Sequence, residues 1–271
     1  MLRIVGRRPD GYHLLQTVFQ FLDRCDWLWL EPRDEGVIDR VGEVAGVPAD
    51  ADLTVRAARL LQRVAGIHRG ATIRIVKQLP LGGGLGGGSS DAATTLVALN
   101  HYWQTGLTLA ELAELGLQLG ADLPVFVHGR AAWAEGVGER LTPVLLDEPW
   151  FLVLTPACHV ATGAVFTDPE LTRNSPLITI ADFMMGVGGN DCEAVVYRRY
   201  PEVAAMAAWL ARHGPARLTG TGACIFAAFP DAASAGRILS RLPPGWTGFT
   251  ARGRNRSPLH ERLAREQFAS A

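Results

Sequence analysis

The sequence predicts a mixed chain of strands and helices, sized for one large domain or two small ones and organised around an anion-binding loop. Three observations carry this. Ala71-Thr-Ile-Arg-Ile-Val-Lys77 alternates apolar and polar residues and is rich in β-branched side chains, the pattern of a strand. Pro80 to Ala93 follows, Pro-Leu-Gly-Gly-Gly-Leu-Gly-Gly-Gly-Ser-Ser-Asp-Ala-Ala, with six glycines in two runs split by Leu85. Beyond it Ala92, Leu96, Leu99 and Trp103 recur at helical spacing. At 271 residues the chain can bury roughly three quarters of its unfolded surface.

The remaining elements are taken in chain order. Met1 to Gly6 resembles the end of a strand, and Pro9-Asp-Gly11 is a turn. His13 to Leu22 and Trp27 to Leu30 are expected strands, and Glu31 to Asp50 an expected polar loop. Leu53 to Val64 places Leu53, Ala57, Leu60, Leu61 and Val64 on one helical face, with Asp52 as N-cap. Thr108-Leu-Ala-Glu111 is a capping box opening a helix to about Leu119. Gly120-Ala-Asp-Leu-Pro-Val-Phe126 ends it, and Pro124 puts Asp122 on a constrained connection. Ala131 to Glu135 is an expected strand and Gly136-Val-Gly138 a turn. Asp147-Glu-Pro149 is the expected domain boundary, dividing the chain into 1–147, carrying the glycine loop, and 148–271. In the second part, strands are expected at Trp150–Leu154, Ile225–Phe229 and Thr247–Ala251. Helices are expected at Asn190–Arg198, Glu202–His213 after Pro201, Ala232–Leu242, and from Ser257-Pro258 onward.

Composition excludes several classes. The chain is 48% hydrophobic and 20% charged with a formal net charge of −1, so no global basic field attracts nucleic acid or an anionic membrane. Cys25, Cys158, Cys192 and Cys224 form no C-x-x-C pair and suit reduced thiols in a cytoplasmic protein. The histidines form no H-E-x-x-H, no run of 18 apolar residues exists, and the N-terminus lacks a signal-peptide core.

The glycine loop carries the chemistry. Residues without Cβ atoms reach φ > 0 and let a ligand lie against backbone N–H groups. The helix behind adds orphan donors and the positive end of its dipole, with Ser89 and Ser90 expected as N-cap and first-turn hydroxyls. Together these suit a polyphosphate. A flexible linker or a plain helix cap is the alternative, but linkers are not usually held between a strand and an apolar helix. Gly82 to Gly87 also fits G-x-G-x-x-G, as any glycine run does, without the following acidic residue of a dinucleotide fold. Gly88 precedes Ser89 where a P-loop requires lysine.

Pro80 to Ser90 resembles the phosphate loop of the GHMP kinases, which include galactokinase, homoserine kinase and mevalonate kinase. Arg8-Pro-Asp-Gly-Tyr-His13, Gly120-Ala-Asp-Leu-Pro-Val-Phe126, Glu135-Gly-Val-Gly138 and Leu218-Thr-Gly-Thr-Gly-Ala-Cys224 resemble one branch of that family, in order and over nearly the whole chain. This branch phosphorylates a hydroxyl of the methylerythritol unit in a cytidine-diphospho substrate, in the non-mevalonate route to isoprenoids. The resemblance implies a two-domain α+β fold with the active site in the inter-domain cleft, and ATP with Mg²⁺ as cofactors. It implies that Pro80, Leu81, Gly82, Gly83, Gly84, Leu85, Gly86, Gly87, Gly88, Ser89 and Ser90 hold ATP, and that Ser89 or Ser90 helps position the metal. Asp122 matches the catalytic aspartate, although by itself it reads as a turn residue before Pro124. Tyr12 matches a residue stacking on the cytosine and His13 one bonding it through its backbone. Thr162 and Phe166 align with the far side of that pocket, and Gly220, Thr221 and Gly222 with a second glycine loop. The implied partner is a small-molecule substrate, with no nucleic acid or membrane, for a monomer or weak homodimer.

The sequence departs from the family in one place. The family opens with a strand reading roughly Pro-Ala-Lys-Leu-Asn-Leu, whose lysine lies near the catalytic aspartate. Met1-Leu-Arg-Ile-Val-Gly6 falls after that point, Arg3 is no substitute, and Lys77, the only lysine, lies elsewhere. The expectation is an additional N-terminal segment carrying that lysine, without which a sheet edge would be left unpaired. The rival readings are a short form that binds nucleotide or a cytidine ligand and turns over poorly, and another GHMP kinase.

Overall fold

The computed structural model describes residues 1–269. In chain order the elements are β1 (Leu2–Arg7), β2 (His13–Phe19), β3 (Phe21–Leu22), β4 (Trp27–Arg33), β5 (Ile38–Val41), α1 (Leu53–Ala65), β6 (Gly70–Val76), α2 (Gly87–Trp103), α3 (Leu109–Leu117), α4 (Leu123–His128), β7 (Ala132–Gly136), β8 (Arg140–Pro143) and β9 (Trp150–Leu154). They continue with α5 (Thr162–Phe166), α6 (Ile180–Met184), α7 (Glu193–Arg199), α8 (Pro201–Leu210), β10 (Arg217–Leu218), β11 (Ile225–Phe229), α9 (Ala232–Leu239), β12 (Gly248–Arg254) and α10 (Pro258–Ala269). Compactness groups them into two interleaved units. The first comprises Met1–Arg24, Pro80–Leu85 and Ala131–Asn255; the second comprises Cys25–Leu79, Gly86–Arg130 and the described residues from Arg256 onward.

The first unit holds two antiparallel sheets, ordered β1-β2-β7-β8 and β10-β11-β9-β12-β3. Its core joins Leu152 and Leu154 of β9 to Val195, Val196, Val203, Met206 and Leu210 of α7 and α8. The expected strand His13–Leu22 divides at Gln20, so β2 and β3 serve different sheets. β1 is the outer strand of its sheet, and the segment around Asp191 runs beside its first residue. The Leu2 amide donates to Gly189 O (2.9 Å), the Asp191 amide donates to Leu2 O (2.9 Å), and Ile4 is fully buried.

The second unit packs helices on a three-stranded sheet ordered β4-β6-β5. Its core joins Ala57, Leu60 and Leu61 of α1, Leu96 and Leu99 of α2, and Ile73 of β6. Asp52 caps α1, its carboxylate accepting from the Thr54 amide at 2.8 Å, and Thr108 with Glu111 completes the expected capping box. The stretch expected as polar loop instead contains β5, which pairs parallel to β6 and buries Ile38. Its charged residues, Asp39 and Arg40, mask the strand pattern.

Candidate functional site

The end of β6 is fixed before the glycine loop begins. Asp26, whose side chain is almost fully buried, accepts the Gln78 amide at 2.6 Å and the Leu79 amide at 2.8 Å through Oδ1. Its Oδ2 pairs with the Lys77 ammonium, which also meets Asp91 Oδ2 at 2.8 Å. Burial alone would lower the Lys77 pKa, but the Asp91 and Asp26 carboxylates raise it. Lys77 is therefore committed to two carboxylates. Asp26 and Asp91 carried no sequence signal beyond being acidic; their partners lie 51 and 14 residues away.

One cation serves two carboxylates, so one carboxylate is poorly compensated. Burial pushes Asp91 up from 3.8 to about 7, against the pull of Lys77. The folded state therefore keeps this proton to higher pH than the unfolded chain. The stabilising contribution is complete below about 3.8 and is lost as pH rises to about 7. Asp91→Asn should remove this dependence. Relative to the wild type its stability gains on the order of 1 kcal/mol for each pH unit within that window, or about 2–4 °C in Tm per unit. Thermal melts of both proteins from pH 5 to 8 check this, and parallel curves would rule it out.

The glycine loop is shared between the two units. Pro80–Leu85 belongs to the first, where Gly82 and Gly84 take φ of 66° and 73°. There it is bonded to the second glycine loop. Thr219 Oγ1 donates to Gly84 O (2.8 Å) and the Cys224 amide to Gly83 O (3.1 Å). In the same unit Thr162 and Thr221 join their hydroxyls at 2.9 Å, so the residues expected on the second loop and beside Phe166 are brought together.

Gly86 to Ser90 belongs to the second unit and opens α2. The cap is Gly86 with φ 68°, not the expected Ser89. A Cβ on Gly86 would stand 2.5 Å from Phe126 Cζ, so only glycine can cap here. Ser89 and Ser90 fall within the first turn, and the Ser90 amide makes the first helical bond, to Gly86 O at 2.8 Å. The amides of Gly87, Gly88 and Ser89 are those a helix leaves without an internal partner. This end of α2 thus presents N–H donors and the positive end of its dipole.

Asp122 stands at the N-cap position of α4 with φ −84° and ψ −15°, and its side chain makes no cap bond. Among the described residues its carboxylate has no hydrogen-bond or ion-pair partner. It is open to solvent yet crowded by protein atoms, and this desolvation raises its pKa. An aspartate that neither caps nor pairs is available for chemistry.

In the first unit, the turn at Arg8–Tyr12 closes through the Arg8 amide to Tyr12 O at 2.7 Å and leaves the Tyr12 ring 62% exposed. His13 begins β2, and its ring stacks on Phe166 with centroids 5.0 Å apart at 25°. The expected pocket residues His13 and Phe166 therefore meet directly. Arg173, which the sequence reading missed, donates from Nε to His13 Nε2 at 3.2 Å.

Among the described residues no group of three or more His, Cys, Asp or Glu is arranged to hold a metal. Mg²⁺ bound with a nucleotide needs few protein oxygens, because phosphates and water complete its shell. The Ser89 and Ser90 hydroxyls are half-buried and make no hydrogen bond among the described residues, so they fit such a role. No helix of the described residues is long and apolar enough to cross a membrane.

The chain is similar to known proteins over most of its length. Residues 52–130 match the GHMP kinases N terminal domain and residues 172–245 the GHMP kinases C terminal domain. The 4-diphosphocytidyl-2-C-methyl-D-erythritol kinase of Nitrosococcus oceani is 56% identical over 95% of this chain and 92% of its own length. The protein of the same name from Chromohalobacter salexigens is 57% identical, over 97% and 90%. A crystal structure of 4-(cytidine 5′-diphospho)-2C-methyl-D-erythritol kinase superposes with a TM-score of 0.80 and 31% identity, covering 93% of this chain and 94% of that one. The mevalonate kinase of Methanococcus jannaschii shares the fold, with a TM-score of 0.66 and 14% identity over 91% and 93%.

Proposed function

The chain belongs to the GHMP kinase family and has its mixed helix–strand fold, and from this we infer that it phosphorylates 4-diphosphocytidyl-2-C-methyl-D-erythritol. It moves the γ-phosphoryl group of ATP to a hydroxyl of that substrate, giving the 2-phosphate, a step toward isoprenoid precursors. The observation that carries this is identity above 50% over nearly the full chain to kinases of that name.

Phosphoryl transfer needs alignment and charge neutralisation more than covalent chemistry. In our reading the loop from Pro80 to Ser90 supports the ATP phosphates through glycine backbone and the N–H donors of α2. Mg²⁺, held by the nucleotide and the Ser89 or Ser90 hydroxyl, would neutralise charge on the transferred group. Asp122 orients the acceptor hydroxyl and takes its proton. Tyr12, His13, Thr162 and Phe166 hold the cytosine, and Gly220, Thr221 and Gly222 line the substrate side.

The test is ADP release with the cytidine-diphospho substrate, ATP and Mg²⁺, beside homoserine and mevalonate as acceptors. Turnover with the first alone is expected. A preference for either of the others would reassign the acceptor, and ligand binding without turnover would favour a binding role. Within the pocket, Tyr12→Ala should raise KM for the cytidine substrate by about 10- to 100-fold, the worth of one base–ring stack. The exposed ring supports nothing else, so Tm and KM for ATP should not move. A changed Tm with unchanged KM would assign Tyr12 to the fold instead.

A further inference from the structure

We propose that Arg173 is a positioning residue for the cytidine-binding rings, clamping His13 and the turn after Phe166 so that both meet the base preset. The inference rests on the proposed pocket of Tyr12, His13, Thr162 and Phe166. Arg173 directs its guanidinium at one small region. Nη2 donates to Phe166 O (2.9 Å) and Asp168 O (2.7 Å), Nη1 to Leu171 O (3.0 Å), and Nε to His13 Nε2 (3.2 Å). Three of these partners are carbonyls at the end of α5 or in the segment that follows it. The fourth is the ring that stacks on Phe166.

This arrangement fixes the chemistry of His13. A guanidinium N–H can only donate, so Nε2 must accept, and the ring is neutral with its proton on Nδ1. The charges acting on His13 agree. Burial lowers its pKa first, followed by Arg173 and then by Arg7 on the paired strand β1, both cations. The carboxylate of Asp168 does not offset them; it is engaged by Arg198 at 2.8 Å and Arg199 at 3.3 Å. Protonated His13 would lose its acceptor and repel Arg173. Arg173 therefore couples one ring's protonation and orientation to the turn that carries the other ring.

A residue that only staples the turn would not govern the His13 proton, and this separates the two roles. Arg173→Gln keeps a donor and removes the charge; Arg173→Lys keeps the charge and loses the fork. The His13 ring is followed by NMR titration, its signal assigned with His13→Gln. Binding of cytidine 5′-diphosphate and of a non-hydrolysable ATP analogue is measured in parallel. The expected result for Arg173→Gln is a His13 midpoint above that of the wild type. Both variants should bind cytidine diphosphate about tenfold or more weakly, with unchanged affinity for the ATP analogue. An unmoved His13 titration in Arg173→Gln overturns the proposal, as does wild-type cytidine diphosphate affinity in both variants. A wild-type chain that binds no cytidine diphosphate overturns the pocket assignment as well, so the two failures are distinct.

Discussion

Asp122→Asn should lower kcat by about 10²–10⁴-fold while leaving Tm and ATP binding close to the wild type. The position would ordinarily argue for the opposite. Aspartate at a helix N-cap usually accepts a first-turn amide, and its loss costs about 1 kcal/mol. Here the Asp122 side chain makes no such bond, and its carboxylate has no partner among the described residues. Asparagine matches it in size and removes a partly desolvated charge, so nothing structural is lost. The raised pKa also gives the expected pH profile its sign. A base must be ionised, so the wild-type rate should fall as pH drops through a value above that of an ordinary carboxylate. That limb should vanish in the asparagine variant. Single-turnover phosphoryl transfer against pH, with Tm and ATP affinity as controls, makes the measurement. A variant within tenfold of wild-type kcat would return Asp122 to the role of a turn residue.

The parts of this site legible in the sequence are those made by local chemistry. The alternation of Ala71–Lys77 marked β6, the Thr108–Glu111 box marked α3, and Asp52 before the apolar face of α1 marked a cap that exists. Local rules failed where a contact distant in sequence decided. Ser89 satisfies the propensity for an N-cap, yet Phe126 packed beside Gly86 leaves room only for glycine, and the helix begins earlier. Ile38–Val41 has a charged strand pattern that becomes legible only when β6 pairs with it. The Asp26–Lys77–Asp91 cluster and the Arg173–His13 bond join residues up to 160 positions apart, which no periodicity encodes. The phosphate loop was readable as chemistry because glycine runs announce backbone approach. What its first half leans on was not.

That support sets the second large effect. Gly84→Ala should reduce kcat/KM for ATP by about 10²-fold or more, the scale of a lost positioning element, and should lower Tm. Gly84 sits at φ 73°, where an alanine costs about 1–2 kcal/mol of backbone strain. A Cβ there would also fall inside contact distance of Thr219 O and 2.8 Å from Gly222 O. Both neighbours are backbone, and neither can rotate away as a side chain would. The loops must separate, which breaks the Thr219 Oγ1 bond to Gly84 O and disturbs the Cys224 amide bond to Gly83 O. Gly88→Ala is the matched control on the same loop. It lies in the first turn of α2, and its Cβ would meet only Leu53 Cδ1 at 3.6 Å, an ordinary contact. Alanine is the better helix former, so Tm of this variant should hold or rise. ATP kinetics and melting of the two variants side by side test the argument. If both lower Tm equally, the cost is a general intolerance of the loop to side chains. If Gly84→Ala keeps wild-type Tm and kcat/KM for ATP, the docking of Pro80–Leu85 on Thr219–Cys224 does not hold the phosphate loop in place.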